Sequence, residues 1–372
     1  KSTIRFDEAG SVGFWPDSLR EIDKIVHEAI FDSTFPGGVI TVLKDGVVAY
    51  QKGFGYETYE KLNPIHTRDI YDLASLTKIM STTTAMMKLA GEGKISLDDK
   101  VSSYFPEFSV GQKQQITIRH LLLHNSGLPA FRIYVDELKT RRELVEAVKN
   151  EPLIYDPGTD YIYSDLGFIL MGEIVKEVTG KRLDHYMDQT FYNPLGMHHT
   201  RYNPLKAGKW ILKNIPPTEK DTIYRHKTVR AQVHDERAYY MDGVSGHAGL
   251  FSNGSDIAVF TQMLLNKGSY GGRQYLKPSI VEEFTKRQST LVNRGYGFDR
   301  KGEKFSSAGT LTSEETFGHT GFTGTSFWID PQRDLAIIIL TNRTYPFRSY
   351  GKHISKIRAT IADAVISSIV TE

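Results

Sequence analysis

The sequence predicts an α/β (α+β) fold: an antiparallel sheet assembled from both ends of the chain, flanked by the terminal helices, with a mainly helical domain inserted. Three observations predict it. Hairpin patterns lie near both termini, apolar helical stripes open and close the chain, and the middle is dominated by helices and loops. The expected division is 1–74 and 285–372 for the sheet domain and 75–284 for the inserted helical domain.

In order along the chain, the first dozen residues, through Val12-Gly13, read as a linker. Pro16 through Ile30 reads as a helix, with Pro at its start and Leu19, Ile22, Ile25, Val26 and Ile30 on one stripe. Val39–Leu43 and Val47–Tyr50 flank Lys44-Asp45-Gly46, a hairpin whose Asp-Gly supplies the positive φ of a tight turn. A helix is expected from Ser75 to about Ala90, stopped by Gly91-Glu92-Gly93. Ile118–His124 is a short apolar helix closed by the turn residues Asn125-Ser126-Gly127-Leu128-Pro129. Leu166–Thr179 repeats apolar residues at helical spacing, with Gly180 as its stop. Ile257–Leu265 is another helix, introduced by Gly254-Ser255-Asp256. Ser326–Ile329 and Leu335–Thr341 form a second hairpin around Asp330–Asp334, and a helix from about Gly351 to Ile369 closes the chain.

Composition excludes several classes. The chain has 372 residues, 40% hydrophobic and 24% charged, which is ordinary for a globular protein with a large core. A net charge of +2 without a basic, aromatic-interleaved run argues against nucleic acid as a partner. No stretch approaches the roughly 18 uninterrupted apolar residues of a membrane span. With no cysteine, disulfides, thiolate nucleophiles and thiolate metal sites are all excluded. The twelve histidines form no H-E-x-x-H pattern, and His198-His199 diverge in regular structure, so neither metal nor cofactor is expected. No G-x-S-x-G elbow occurs, which removes the α/β-hydrolase alternative. The chain begins at Lys1 without an initiator Met, so removal of a signal peptide or an upstream domain is expected.

Chemistry concentrates at Ser75-Leu76-Thr77-Lys78. No other charge occurs between Lys78 and Lys88, and a helix neutral on every side is a buried one. Burial disfavours the ammonium, so a lowered Lys78 pKa is expected. Three residues of separation put Ser75 and Lys78 on one face, a nucleophile beside its base. The competing reading makes Ser75 only the N-cap of its helix. A second S-x-x-K, Ser349-Tyr350-Gly351-Lys352, is broken by glycine and reads as surface. Ser245 and His247 could mimic a nucleophile–base pair, but their i, i+2 spacing does not join them on a helix, and a packed loop is expected.

Two further segments follow in order: Tyr163-Ser164-Asp165 before a helix and His319-Thr320-Gly321 before a strand. The ordered set Ser75-x-x-Lys78, Tyr163-Ser164-Asp165 and His319-Thr320-Gly321 resembles that of the penicillin-recognising serine hydrolases. It is most similar to the class C β-lactamase, esterase and D-aminopeptidase branch, with its S-x-x-K, Y-x-N and [K/H]-[T/S]-G patterns. The resemblance runs from Pro36-Gly37-Gly38 to Leu340-Thr341-Asn342, with support from Leu121–Pro129 and Gly246–Ser252. It implies a β-lactamase/transpeptidase-like fold and an acyl-enzyme at Ser75. Lys78 would take or relay the proton and stabilise a Tyr163 phenolate, and Tyr163 would act first as base and then as acid. The oxyanion hole would use the N–H groups of Ser75 and Phe322, with Thr320 beside it and Gly321 leaving room for substrate along the strand.

Two departures bear on activity. Asp165 replaces the family's asparagine; it would pair with Lys78 and raise its pKa, or serve as N-cap of the following helix. His319 replaces the lysine often found there, as in the esterase and D-aminopeptidase branches, which argues against efficient β-lactam hydrolysis. Its imidazole is expected to titrate near about pH 6.5 and to shape the pH dependence toward anionic substrates. The implied partner is a small ester, a D-amino-acid peptide or a β-lactam, with extracytoplasmic (periplasmic or secreted) bacterial location. The chain would be a module of a longer cell-wall enzyme. The alternative function is a non-catalytic penicillin-binding-like module that binds wall peptides.

Overall fold

A computed structural model describes residues 2–370. Seven strands form the main sheet: β1 (Arg5–Phe6), β2 (Gly37–Lys44), β3 (Val47–Gly55), β4 (Asp299–Arg300), β5 (Phe317–Gly321), β6 (Thr325–Asp330) and β7 (Leu335–Thr341). Their spatial order is β1-β3-β2-β7-β6-β5-β4. The β2–β3 hairpin turns at Asp45 (φ 52°) and Gly46 (φ 78°), as its Asp-Gly pair predicts. β7 pairs antiparallel with β2, from Leu335 opposite Lys44 to Thr341 opposite Gly38, which joins the two ends of the chain in one sheet.

The first dozen residues are not a linker. β1 runs parallel to β3, with Arg5 opposite Val47, so the sheet is not wholly antiparallel. Val12 and Phe14 are buried, and the Trp15 N–H donates to the Ser368 carbonyl at 2.8 Å. An open edge on β3 would leave backbone groups unpaired, and this segment covers it.

Period-two alternation divides the apolar residues between two faces. Ile40, Val42, Ile337 and Ile339 pack against Ile22, Val26, Ile361 and Val365 of the helices Glu21–Phe31 and Ile354–Ser367. Val39, Leu43, Ile338 and Leu340 face the other way, into a core shared with Leu76, Met80, Leu166 and Phe260. Because both faces are covered, Leu335–Leu340 can be apolar at every position.

The residues between β3 and β4 are helical but also carry short sheets, among them Tyr71–Asp72, Leu250–Ser252 and Arg201–Tyr202. Strands of two or three residues leave no alternation to read. The helix expected from Ser75 to Ala90 is composite: a 3-10 turn Ala74–Leu76, a π segment Lys78–Thr83, then α-helix Thr84–Gly91. Hydroxyls of the run Ser81-Thr82-Thr83-Thr84 find partners both within the helix and outside it. Thr84 Oγ1 donates to the Ile79 carbonyl at 2.8 Å and Thr82 Oγ1 to the Gly246 carbonyl at 2.6 Å.

Candidate active site

Ser75 follows a strained residue. Ala74 adopts φ 47°, a left-handed conformation that costs a non-glycine residue free energy and persists only where its surroundings impose it. Buried Asp72 imposes it: Oδ1 accepts from the Ala74 N–H at 2.8 Å and Oδ2 from the His234 N–H at 2.6 Å. Ser75 lies inside the 3-10 turn rather than at a cap, which removes the N-cap reading.

Lys78 is 0% exposed and spends its three donors on three partners. Nζ donates to Ser75 Oγ at 2.9 Å and to the His247 carbonyl at 3.3 Å, and pairs with Asp165 Oδ1 at 2.8 Å. Burial alone would lower its pKa, but the charges of Asp165 and Tyr163 more than offset this and hold it above the ordinary lysine value. The expected depression is therefore reversed by the residue that departs from the family pattern.

Asp165 is not the N-cap of its helix. Ser164 holds that position, and Asp165 is the first residue of the helix Asp165–Thr179, with its carboxylate turned to the cleft. There Arg237 Nη2 donates to Asp165 Oδ2 at 2.6 Å and to Asp235 Oδ2 at 2.8 Å. Burial pushes the Asp165 carboxyl up, yet Lys78 and Arg237 together leave it well below the usual range.

The chain of contacts continues. His247 Nε2–H donates to Asp235 Oδ1 at 2.8 Å, and its Nδ1 lies 2.7 Å from Ser245 Oγ. Ser245 and His247 lie in a packed loop, as expected, and they meet there without a helix because the loop with Gly243, Gly246 and Gly249 folds back on itself. Ser245 is only 2% exposed and does not line the cleft, so it is placed to orient His247 rather than to meet substrate. Ligand atoms of Asp165, Asp235 and His247 lie within 4.8 Å of one another, but Arg237 already bridges the two carboxylates.

Tyr163 is positioned by His124, which the sequence reading placed at the end of a short helix and in the supporting stretch Leu121–Pro129, without a role at the site. His124 closes the helix Ile118–Leu123 at φ 57°. Its carbonyl accepts from the Ile162 N–H at 3.0 Å and its Nδ1 from the Ser164 N–H at 2.8 Å, so both neighbours of Tyr163 are held. The His124 ring lies 4.5 Å from the Tyr163 ring, and Lys78 Nζ lies 4.9 Å from the same ring centroid. Arg294, also unforeseen, sits 5.8 Å over the Tyr163 ring and donates to the Gly297 carbonyl at 3.0 Å. No motif marks Arg294, whereas His124 lies in the supporting stretch Leu121–Pro129.

His319 lies on β5 with its Nδ1–H donating to the Thr320 carbonyl at 2.7 Å; its buried Nε2 has no hydrogen-bond partner among the described residues. Burial, then Arg294 and Lys78, hold its pKa well below the ordinary value. The expected titration near about pH 6.5 is therefore corrected: the ring is neutral throughout the physiological range.

Gly321 is required for a different reason than the one expected. A Cβ there would come within 2.5 Å of the Leu73 carbonyl, so the space is filled by the backbone next to the candidate nucleophile. Thr323 Oγ1 donates to the Asp72 carbonyl at 2.7 Å and Thr325 Oγ1 to the Leu73 carbonyl at 3.0 Å. These contacts bolt the β5–β6 turn, including Phe322, onto the Ser75 loop. The cleft of about 760 Å³ is lined by Ser75, Tyr163, Asp165, His319, Thr320 and Phe322, with Lys78 behind Ser75. The arrangement offers a hydroxyl, an adjacent cation, a phenol and backbone N–H groups, the parts acyl transfer needs.

The Beta-lactamase family model matches residues 22–360. "N-acetylmuramyl-L-alanine amidase" of Bacillus subtilis (strain 168) is 37% identical over 370 residues, covering 91% of this chain and 83% of the relative. "Putative D-alanyl-D-alanine carboxypeptidase" of Escherichia coli (strain K12) is 36% identical over 366 residues, covering 90% and 84%. Among solved structures, "A class C beta-lactamase" superposes with a TM-score of 0.76 at 18% identity, covering 96% of this chain and 98% of that one, a likeness of fold. With its S-x-x-K, Y-x-D and H-T-G residues gathered around one cleft, this chain belongs to the Beta-lactamase family of penicillin-recognising serine hydrolases.

Proposed function

We propose that the protein hydrolyses an amide bond in a D-amino-acid-containing cell-wall peptide through an acyl-enzyme at Ser75. Ester turnover and weak β-lactam turnover would be side activities of the same site. The observation that carries the reading is the fully buried Lys78 ammonium 2.9 Å from Ser75 Oγ. Ser75 Oγ attacks the carbonyl carbon while its proton passes to the Tyr163–Lys78 pair; the pair then returns that proton to the leaving amine. Water attacks the ester so formed, gives up its proton by the same route, and releases the acid and Ser75. N–H groups of Ser75 and Phe322 stabilise the oxyanion in both steps. Names of the relatives, an amidase and a carboxypeptidase, support an amide of the cell wall as the substrate and a periplasmic or secreted location. Neutral His319, in place of a permanent cation, weighs against β-lactams as the main substrate.

Parallel assays with D-alanyl peptides, p-nitrophenyl esters and nitrocefin, with intact-mass detection of the adduct, test the proposal. Peptide turnover with an adduct on Ser75 is expected. Binding of peptides with neither adduct nor turnover would favour a non-catalytic module instead.

A further inference from the structure

Two arginines hold consecutive carbonyls of the β5–β6 turn, Arg358 that of Gly321 and Arg343 that of Phe322, and neither forms an ion pair with a carboxylate among the described residues. Arg358, on the helix Ile354–Ser367, is 5% exposed, and its Nη2 donates to the Gly321 carbonyl at 3.0 Å and the Thr325 carbonyl at 2.9 Å. Its Nε has no hydrogen-bond partner among the described residues. Arg343 Nε donates to the Phe322 carbonyl at 2.8 Å, and its guanidinium lies 4.4 Å from the Phe322 ring centroid. Other guanidinium groups along the cleft are neutralised: Arg237 by Asp165 and Asp235, Arg348 by Glu219 and Glu236, Arg294 by Asp299.

A buried charge without a counter-ion is costly. Strand geometry does not demand it, because the Gly321 carbonyl already accepts from the Gly324 N–H at 3.0 Å in the turn. Burial and the Arg343 charge draw Arg358 down to a pKa of about 9, which still leaves it cationic at neutral pH.

We infer that Arg358 is a positioning residue of the oxyanion hole, acting through the Gly321–Phe322 peptide. The carbonyl it holds and the Phe322 N–H belong to one conjugated amide. A charge-assisted bond to the oxygen withdraws density from the nitrogen and makes its N–H a stronger donor. Arg343 holds the next carbonyl, so the N–H is kept aimed at the cleft. A carboxylate beside Arg358 would weaken this field, which accounts for its missing counter-ion. The inference rests on the acyl-transfer reading above, and the adduct on wild-type Ser75 tests that reading separately.

The experiment compares wild type with Arg358→Gln and Arg358→Lys, using one neutral ester and one carboxylate-bearing substrate, with the infrared carbonyl band of the acyl-enzyme as a second readout. Direct removal of an oxyanion donor costs about 10²–10³ in kcat, so an effect through one peptide should be about tenfold. Arg358→Gln should lose that much kcat on both substrates with little change in KM, and its acyl carbonyl band should move to higher wavenumber. Arg358→Lys keeps the charge and should recover part of both; if the glutamine variant does not fold, a partial band shift in the lysine variant decides. An unshifted band, or a KM loss confined to the carboxylate-bearing substrate, overturns the inference and makes Arg358 a ligand for the substrate anion. Absence of any Ser75 adduct in wild type overturns the acyl-transfer reading together with it.

Discussion

Lys78 Nζ lies 2.8 Å from Asp165 Oδ1, and the same ammonium donates to Ser75 Oγ. The group next to the candidate nucleophile is thereby held in its protonated form, whereas a base must first lose a proton. The reactive form of the Tyr163–Lys78 pair carries one proton fewer, so acylation should accelerate as pH rises toward the pair's titration.

Asp165→Asn tests this. The carboxylate raises the Lys78 pKa, so its removal lowers it. The rising limb of kcat/KM should move to lower pH, with faster acylation at pH 7. Arg237 keeps Asp235 as a partner, so the fold is retained. A limb that stays in place would show that Asp165 does not set the proton affinity of the pair.

Ser75→Ala should abolish both the adduct and turnover while melting near the wild-type temperature, since Ser75 caps no helix. Lys78→Ala should lose about 10²–10⁴ in acylation, the range for a positioned proton-transfer group. Stopped-flow acylation with a chromogenic ester measures both. A label found on Ser245 or Ser349 in place of Ser75 would contradict the assignment.

His124 and His319 are both held neutral, well below the ordinary imidazole pKa, chiefly by burial and then by Arg294. In the unfolded chain each titrates near about 6.5. Below that pH the unfolded state binds protons that the folded state refuses, so stability falls as pH falls, by about 1.4 kcal/mol per unit for each histidine. Chemical denaturation from pH 7 to 5 should show this slope, and His124→Gln should reduce it. The kcat/KM profile between pH 6 and 8 should show no limb belonging to His319.

Gly321→Ala should cost about 1–3 kcal/mol, as other overpacked positions do, because the new methyl meets the Leu73 carbonyl and Thr325 Oγ1. Displacing that backbone also shifts Ser75 relative to the Phe322 N–H, so kcat should fall along with thermal stability. Wild-type melting behaviour in this variant would mean that the β5–β6 turn is not pressed against the Ser75 loop.

The hairpins at both ends were legible because Asp45-Gly46 and the apolar runs flanking Asp330–Asp334 are local signals. Ser75, Lys78, Tyr163 and the His319–Phe322 segment were legible as ordered short motifs, and the structure brings them around one cleft. What the sequence hides is partnership across distance. Arg237 meets Asp165 across 72 positions, and Ser164 meets His124 across 40, and no local pattern says that these residues pair. The π segment was hidden differently: Lys78–Thr83 is buried on every side, so its apolar spacing does not mark where the helix widens. Ser245 and His247 lie in the packed loop their glycine-rich surroundings predict, but their hydrogen bond depends on how that loop folds and is not marked by their spacing.

The bolts between the Ser75 loop and the β5–β6 turn span 251 and 252 residues of chain. Closing so large a loop costs entropy before any contact rewards it, and non-local pairing of this kind slows folding. During synthesis the Asp72 and Leu73 carbonyls must wait for Thr323 and Thr325 before their partners exist. A ribosome-bound chain that lacks β5–β7 therefore holds its serine and lysine without the turn on which the proposed oxyanion site depends. Acylation by a fluorescent penicillin would then report that β5–β7 have been made and docked, and a fragment truncated before them should stay unlabelled however much of its helical part has formed.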